Sequence, residues 1–138
     1  MKILHTESSM HWGGQGFRTL LEHNYLNSHG NESWLACDPA SQLHQKAVDS
    51  DAKNIISINL SKAWRLDVAL RLLFICKSKK INIINSHSAK DSLLCLLPYL
   101  FGTPLIRSRQ ITNPIRKNSH IAIAAHTLWL QQRSLKPC

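Results

Sequence analysis

The stretch KILHTESSMHWGGQGF, residues 2–17, decides how the fold is read. Lys2–Thr6 is a short apolar run, expected as a strand. Glu7 to Gln15 is a long polar loop with the adjacent glycines Gly13 and Gly14. Gly16 to Ser28 then carries Phe17, Leu20, Leu21, Tyr25 and Leu26 at helical spacing, and Gly30 stops the run. A strand that passes through a glycine loop into a helix is the opening of a βαβ unit.

The alternation continues outward from there. Glu32–Cys37 reads as a second strand, Ala40 to Ser50 as a helix, and Asn54–Leu60 as a third strand. Arg65 to Lys80 is the strongest helix, with Leu66, Ala69, Leu70 and Leu73 on its apolar stripe. Its terminal lysines suit the helix dipole. Ile81–Asn85 is a fourth strand. The polar loop from His87 to Asp91 follows, and Asp91 or Ser92 can cap a helix that ends near Phe101. Leu105–Arg109 is the fifth strand. Five strands alternating with four helices predict an α/β fold: a Rossmann-like, doubly wound parallel sheet of five to six strands with helices on both faces. The expected strand order is 3-2-1-4-5, with the switch point between strands one and four. No internal repeat or linker is visible. From Ser119 the pattern changes: Ile121–Ala125 offers a sixth strand, or His126 to Leu135 a helix. The expected organisation is therefore a domain over 1–118 and an atypical tail over 119–138.

Length and composition agree with a globular domain. The chain has 138 residues, 43% of them hydrophobic and 18% charged, which excludes disordered and collagen-like classes. The longest apolar run, Leu93 to Phe101, is nine residues, far short of the ~18 that would suggest a membrane span. The N-terminus has no signal-peptide pattern, so a cytoplasmic location is expected. Cys37, Cys76, Cys95 and Cys138 form no C-x-x-C pair and are read as free thiols. The eight histidines have no metal-ligand spacing, and no metal is expected.

Charge is uneven. Residues 1–60 hold four basic and six acidic side chains, net −2; residues 61–138 hold thirteen and two, net +11. A basic second half fits an anionic partner such as a nucleotide phosphate, a lipid headgroup or nucleic acid.

In open α/β sheets ligands sit outside the carboxyl ends of the strands, at the switch point. Three polar loops are expected there. After strand one come Glu7, Gly13, Gly14 and Gln15, with glycines that let backbone N–H groups approach an anion. After strand four come His87, Ser88, Lys90 and Asp91. After strand five come Arg107, Arg109 and Gln110, the two arginines on one face and suited to phosphate. Gly14, Gly16 and Thr19, with Asp38 at the end of strand two, also fit part of a dinucleotide fingerprint, but the loop before Gly14 is too long for it.

As a set, KILHTESS at 2–9, WGGQ at 12–15, SWLAC at 33–37, HSAKDS at 87–92 and PLIRSR at 104–109 resemble the N-terminal domain of family 4 glycosyltransferases. The resemblance covers residues 1 to about 118 and is nearest to bacterial enzymes of lipopolysaccharide and other cell-envelope glycans. It implies one half of a GT-B architecture, the acceptor-side domain. The intact enzyme would move a sugar from a nucleotide-sugar donor to a glycan or lipid-linked hydroxyl, with no cofactor. By resemblance, Gly13 and Gly14 approach the donor, and His87, Lys90, Arg107 and Arg109 line the cleft. Relatives carry a His where this chain has Gln110, which cannot exchange a proton near neutral pH; no catalytic residue is therefore assigned. The family also needs more than twice this length. The expectation is a truncated chain, frameshifted near Ser119 and inactive alone unless a separate chain supplies the C-terminal domain. Its basic helix 65–80 would rest on anionic lipid at the inner membrane face. Two other readings remain: a stand-alone nucleotide-binding module, and a basic nucleic-acid-binding protein, the latter without any recognised reading motif.

Overall fold

A computed structural model of the chain describes residues 1–108. Arg109, Gln110, Cys138 and the strand or helix expected beyond Ser119 lie outside the described residues.

Strands and helices alternate along the chain, with two short helices between the last two strands. The elements are β1 (Lys2–Glu7), α1 (Gly14–Ser28), β2 (Glu32–Cys37), α2 (Gln42–Asp49), β3 (Ile55–Ser57), α3 (Leu66–Lys79), β4 (Ile83–Ser86), α4 (Ala89–Leu94), α5 (Leu96–Leu100) and β5 (Leu105–Arg107). All neighbouring strands pair in parallel, in the order β3-β2-β1-β4-β5. This is the expected order, and β1 is its centre. Thr6 lies opposite both Ala36 of β2 and Ser86 of β4, so the loops after β1 and β4 leave the same edge side by side.

The sheet buries both faces. Leu4, Ala36 and Ile84 point to one side, where Val68, Leu72, Ile75 and Cys76 of α3 meet Leu94 and Cys95. Leu35 and Cys37 alternate to the other side and pack with Leu20 of α1 and Leu43 and Ala47 of α2. Cys37, Cys76 and Cys95 are buried free thiols, as expected.

Local chemistry sets the element ends. The Ser41 hydroxyl accepts from His44 N at 3.1 Å and caps α2. Pro98 has no N–H to give the Leu94 carbonyl, and the single helix expected to Phe101 is divided into α4 and α5 around Cys95. Lys80 ends α3 in the left-handed region at φ 55, with Ile81 N bonded to Cys76 O at 2.9 Å.

Two helix faces differ from expectation. On α1 the buried residues are Gly16, Thr19, Leu20 and His23, while Phe17, Leu21 and Tyr25 are exposed. The polar residues beneath the helix are satisfied there: Thr19 Oγ1 donates to Gln15 O at 2.9 Å, and His23 bonds Ser33 Oγ and Lys53 O. On α3 the buried stripe is Val68, Ala69, Leu72, Ile75 and Cys76. Of the stripe expected inside, Ala69 is buried but Leu66 is 65% exposed and Leu70 51%; Phe74 beside them is 72% exposed. The helix has apolar residues on two faces, and periodicity alone does not rank them.

A lysine in the left-handed region costs backbone energy that glycine avoids. Lys80→Gly is expected to raise stability by about 0.5–1 kcal/mol and Lys80→Val to lower it, as read from thermal denaturation of both variants.

Candidate functional site

The site is built on the carboxyl edge of β1 and β4. Asp91, in the first turn of α4, turns back under the two loops and is fully buried. Its carboxylate accepts from Thr6 Oγ1 at 2.8 Å and from the His87 backbone N–H at 3.1 Å. It also accepts from Ser88 Oγ and, more distantly, from Ser8 Oγ at 3.4 Å. Ser8 and Ser88 hydroxyls meet at 2.5 Å. One side chain thus joins the end of β1, the loop after β4 and the start of α4. Burial pushes the Asp91 carboxyl up to about 6, against the lowering effect of its Ser88 and Thr6 hydrogen bonds.

Glu7 ends β1 and is also buried. It accepts from Ser9 N at 2.9 Å and from the Gln15 side-chain amide. The glycine loop is therefore tied back to the strand that precedes it. Gly13 is the N-cap of α1, with an extended backbone that any residue adopts, and Gly14 begins the helix. A Cβ at either position would meet nothing within 4 Å among the described residues, whereas one at Gly16 would meet the Trp12 ring at 3.4 Å. The Gly16 contact is an ordinary van der Waals distance, so packing within the described residues requires glycine at none of the three positions. Lys90 is exposed beside this edge, and Arg107 is half-buried at the end of β5, opposite Ser86. Ser108 continues that strand's edge, donating from its hydroxyl to Asn85 Oδ1 at 2.7 Å.

His87 is placed differently from an open cleft residue. It is 3% exposed and its ring stacks on that of His5, with centroids 5.4 Å apart and planes 16° from parallel. His5 Nδ1 and His87 Nε2 are 3.1 Å apart. Burial lowers His5 to about 3 and His87 to about 4, so both rings are neutral at neutral pH. The remaining nitrogens, His5 Nε2 and His87 Nδ1, are buried with no hydrogen-bond partner among the described residues. An unmet buried polar group costs about 1–3 kcal/mol. Glu22 of α1 completes a group of three here. Sequence spacing missed this cluster because the two histidines sit 82 residues apart, one in β1 and one just past β4, with Glu22 on α1. Asp38 serves the chain itself: its Oδ1 accepts Ala40 N at 2.9 Å in the turn before α2.

The edge therefore keeps its carboxylates enclosed and exposes Gly13, Gly14 and Lys90, with Arg107 half-buried beside them. Open backbone and cations suit an anionic ligand. Asp91→Ala is expected to destabilise the domain by about 3 kcal/mol or more, because Thr6, Ser88 and the His87 N–H lose their acceptor together. Asp91→Asn, which keeps one acceptor oxygen, should recover part of that loss in urea unfolding.

Comparison with solved structures places this geometry. No protein-family model matches the chain, and no curated protein matches it. The structure of MurG from Acinetobacter baumannii superposes with a TM-score of 0.71 at 14% identity, covering 90% of this chain and 39% of that protein. A glycosyltransferase from Rickettsia africae ESF-5 superposes with a TM-score of 0.62 at 17% identity, covering 84% of this chain and 31% of that one. The chain thus spans about a third to two fifths of the length of these neighbours. The likeness is one of fold: the chain is a Rossmann-like α/β domain with the five-stranded parallel sheet that these GT-B proteins share.

Proposed function

We propose that this chain is the acceptor-side domain of a GT-B glycosyltransferase of the family 4 type. The intact enzyme would transfer a sugar from a nucleotide-sugar donor to a hydroxyl of a cell-envelope glycan or lipid. The observation that carries this reading is the joined edge of β1 and β4. There the loop 8–13 and the loop 87–88 meet through Asp91, on a sheet of a domain that superposes on MurG and on the Rickettsia glycosyltransferase. Gly13 and Gly14, unexplained by packing within the described residues, stand where a donor phosphate or sugar would approach. Lys90 and Arg107, with Arg109 beyond the described residues, would supply positive charge to that approach. The donor-binding residues belong to a second domain, carried by a longer form of this chain or by a separate chain. This domain alone would then bind acceptor without completing transfer.

A specific observation favours a lipid-linked acceptor and peripheral contact with an anionic membrane at the inner face. No helix among the described residues is long and apolar enough to cross a membrane. Instead Leu66, Leu70 and Phe74 present an exposed apolar stripe along α3, and Trp64 is exposed just before the helix. Lys62, Arg71, Lys77 and Lys80 are exposed around it. Apolar insertion flanked by cations is the pattern of an interfacial helix.

Two measurements test the reading. Titration of the chain with UDP- and GDP-sugars, followed by amide NMR, should give only weak, millimolar shifts and no sugar release. Micromolar binding at residues 13–17 would instead favour a stand-alone nucleotide-binding module. Sedimentation with phosphatidylglycerol vesicles should retain the chain, with retention falling as salt rises. The variant Leu70→Gln/Phe74→Gln should lose most of that retention while keeping its unfolding midpoint. Equal retention of the variant, or none of the parent chain, would remove the membrane contact.

A further inference from the structure

The histidine pair beneath α1 takes no part in the function proposed above. His5 lies in the central strand and His87 just past the end of β4, both with their rings under α1. Two neutral imidazoles joined at one nitrogen each leave one lone pair and one N–H unmet. Neither His5 Nε2 nor His87 Nδ1 has a partner among the described residues. Glu22 brings a carboxylate to the same point from α1. One donor atom from each of His5, Glu22 and His87 lies within 4.8 Å of the other two. Two imidazoles and a carboxylate are a donor set for divalent first-row transition ions, zinc above all. We propose that His5, His87 and Glu22 form a zinc-type cation site that clamps α1 to the two strands β1 and β4.

The spacing of the two histidines is close to what the ion requires, and Glu22 must draw in. Two nitrogen ligands on a tetrahedral zinc, each at about 2.0–2.1 Å, stand about 3.3 Å apart. His5 Nδ1 and His87 Nε2 already stand 3.1 Å apart. A hydrogen bond between the rings satisfies one lone pair with one proton. An ion takes the lone pair of each facing nitrogen, and the outer nitrogens, His5 Nε2 and His87 Nδ1, then both carry the proton. Glu22 has room to move, since its side chain is 34% exposed and, among the described residues, is held at Oε1 by Arg18 Nε, 2.9 Å away on the preceding turn. A carboxylate has two oxygens, so Arg18 can keep one while the ion takes the other. A cavity of about 320 Å³ adjoins the cluster, lined in part by Ile3, His5, Glu22, Tyr25, Asn85 and Ile106. It has space for a water in the fourth position of a three-ligand site.

The test uses the untagged full chain after removal of metal with a chelator. Zinc competition against a chromophoric chelator should show one tight ion per chain, and Co²⁺ should give the visible absorption bands of a low-symmetry nitrogen–oxygen site. The melting midpoint should rise by several degrees on adding one equivalent of Zn²⁺. Glu22→Ala should weaken the tight zinc at least about tenfold and change the Co²⁺ bands, with the metal-free melting midpoint unchanged. His87→Gln should abolish the tight ion; if that variant fails to fold, the Glu22→Ala result decides alone. The chain has eight histidines, so loose zinc elsewhere is expected and does not count as the site. Absence of a tight 1:1 ion, or tight binding that survives Glu22→Ala undiminished, would overturn the proposal.

Discussion

A single buried carboxylate organises the edge of this molecule. Parallel pairing brings the ends of β1 and β4 side by side, but pairing alone leaves the loops beyond them free to diverge. Asp91 prevents this by accepting from Thr6 on one strand end and from the backbone and hydroxyls of the loop after the other. A desolvated acid is costly unless its oxygens are met by donors, and here several donors converge on it. The same bonds that stabilise the acid hold Ser8 and Ser88 in contact. Site geometry and local stability are one network.

That arrangement separates two kinds of residue near the switch point. Glu7, Asp38, His87 and Asp91 are largely enclosed and bond to the chain itself, so their work is to hold loops in place. Gly13, Gly14 and Lys90 are exposed, and they are the groups free to meet a ligand. A domain that keeps its acids inside and its open backbone and cation outside is suited to binding at an edge. In a two-domain enzyme the second half would close over that edge. The exposed apolar stripe of α3 lies on the side of the sheet opposite α1 and α2 and would be available to a membrane at the same time.

Much of the fold is legible before any coordinates. The period-two apolar runs and the glycine and proline stops identify five strands and their helices, and crossover handedness then leaves one favoured strand order. What periodicity did not settle was which side of an apolar helix is buried. On α1 the sheet takes Thr19, whose hydroxyl bonds back to the Gln15 carbonyl of its own helix, and His23, which meets Ser33 and the Lys53 carbonyl, while Phe17 and Tyr25 stay outside. On α3 the branched and small residues Val68 and Ala69 pack inward and Phe74 does not. The site was legible as a set of loops, because loops follow strands in a known topology. The role of each residue was not, since it depends on contacts across the sheet. Ser8 with Ser88, and His5 with His87, meet only after β1 and β4 have paired.

The account rests on this domain being one half of a two-domain transferase. The most direct test is the DNA sequence downstream of codon 118, about 700 bases translated in all three forward frames. The account predicts a frame encoding a second Rossmann-like domain with a nucleotide-sugar site. Finding no such frame, and no separate chain that binds this one and supplies it, would contradict the account and leave a self-contained binding domain.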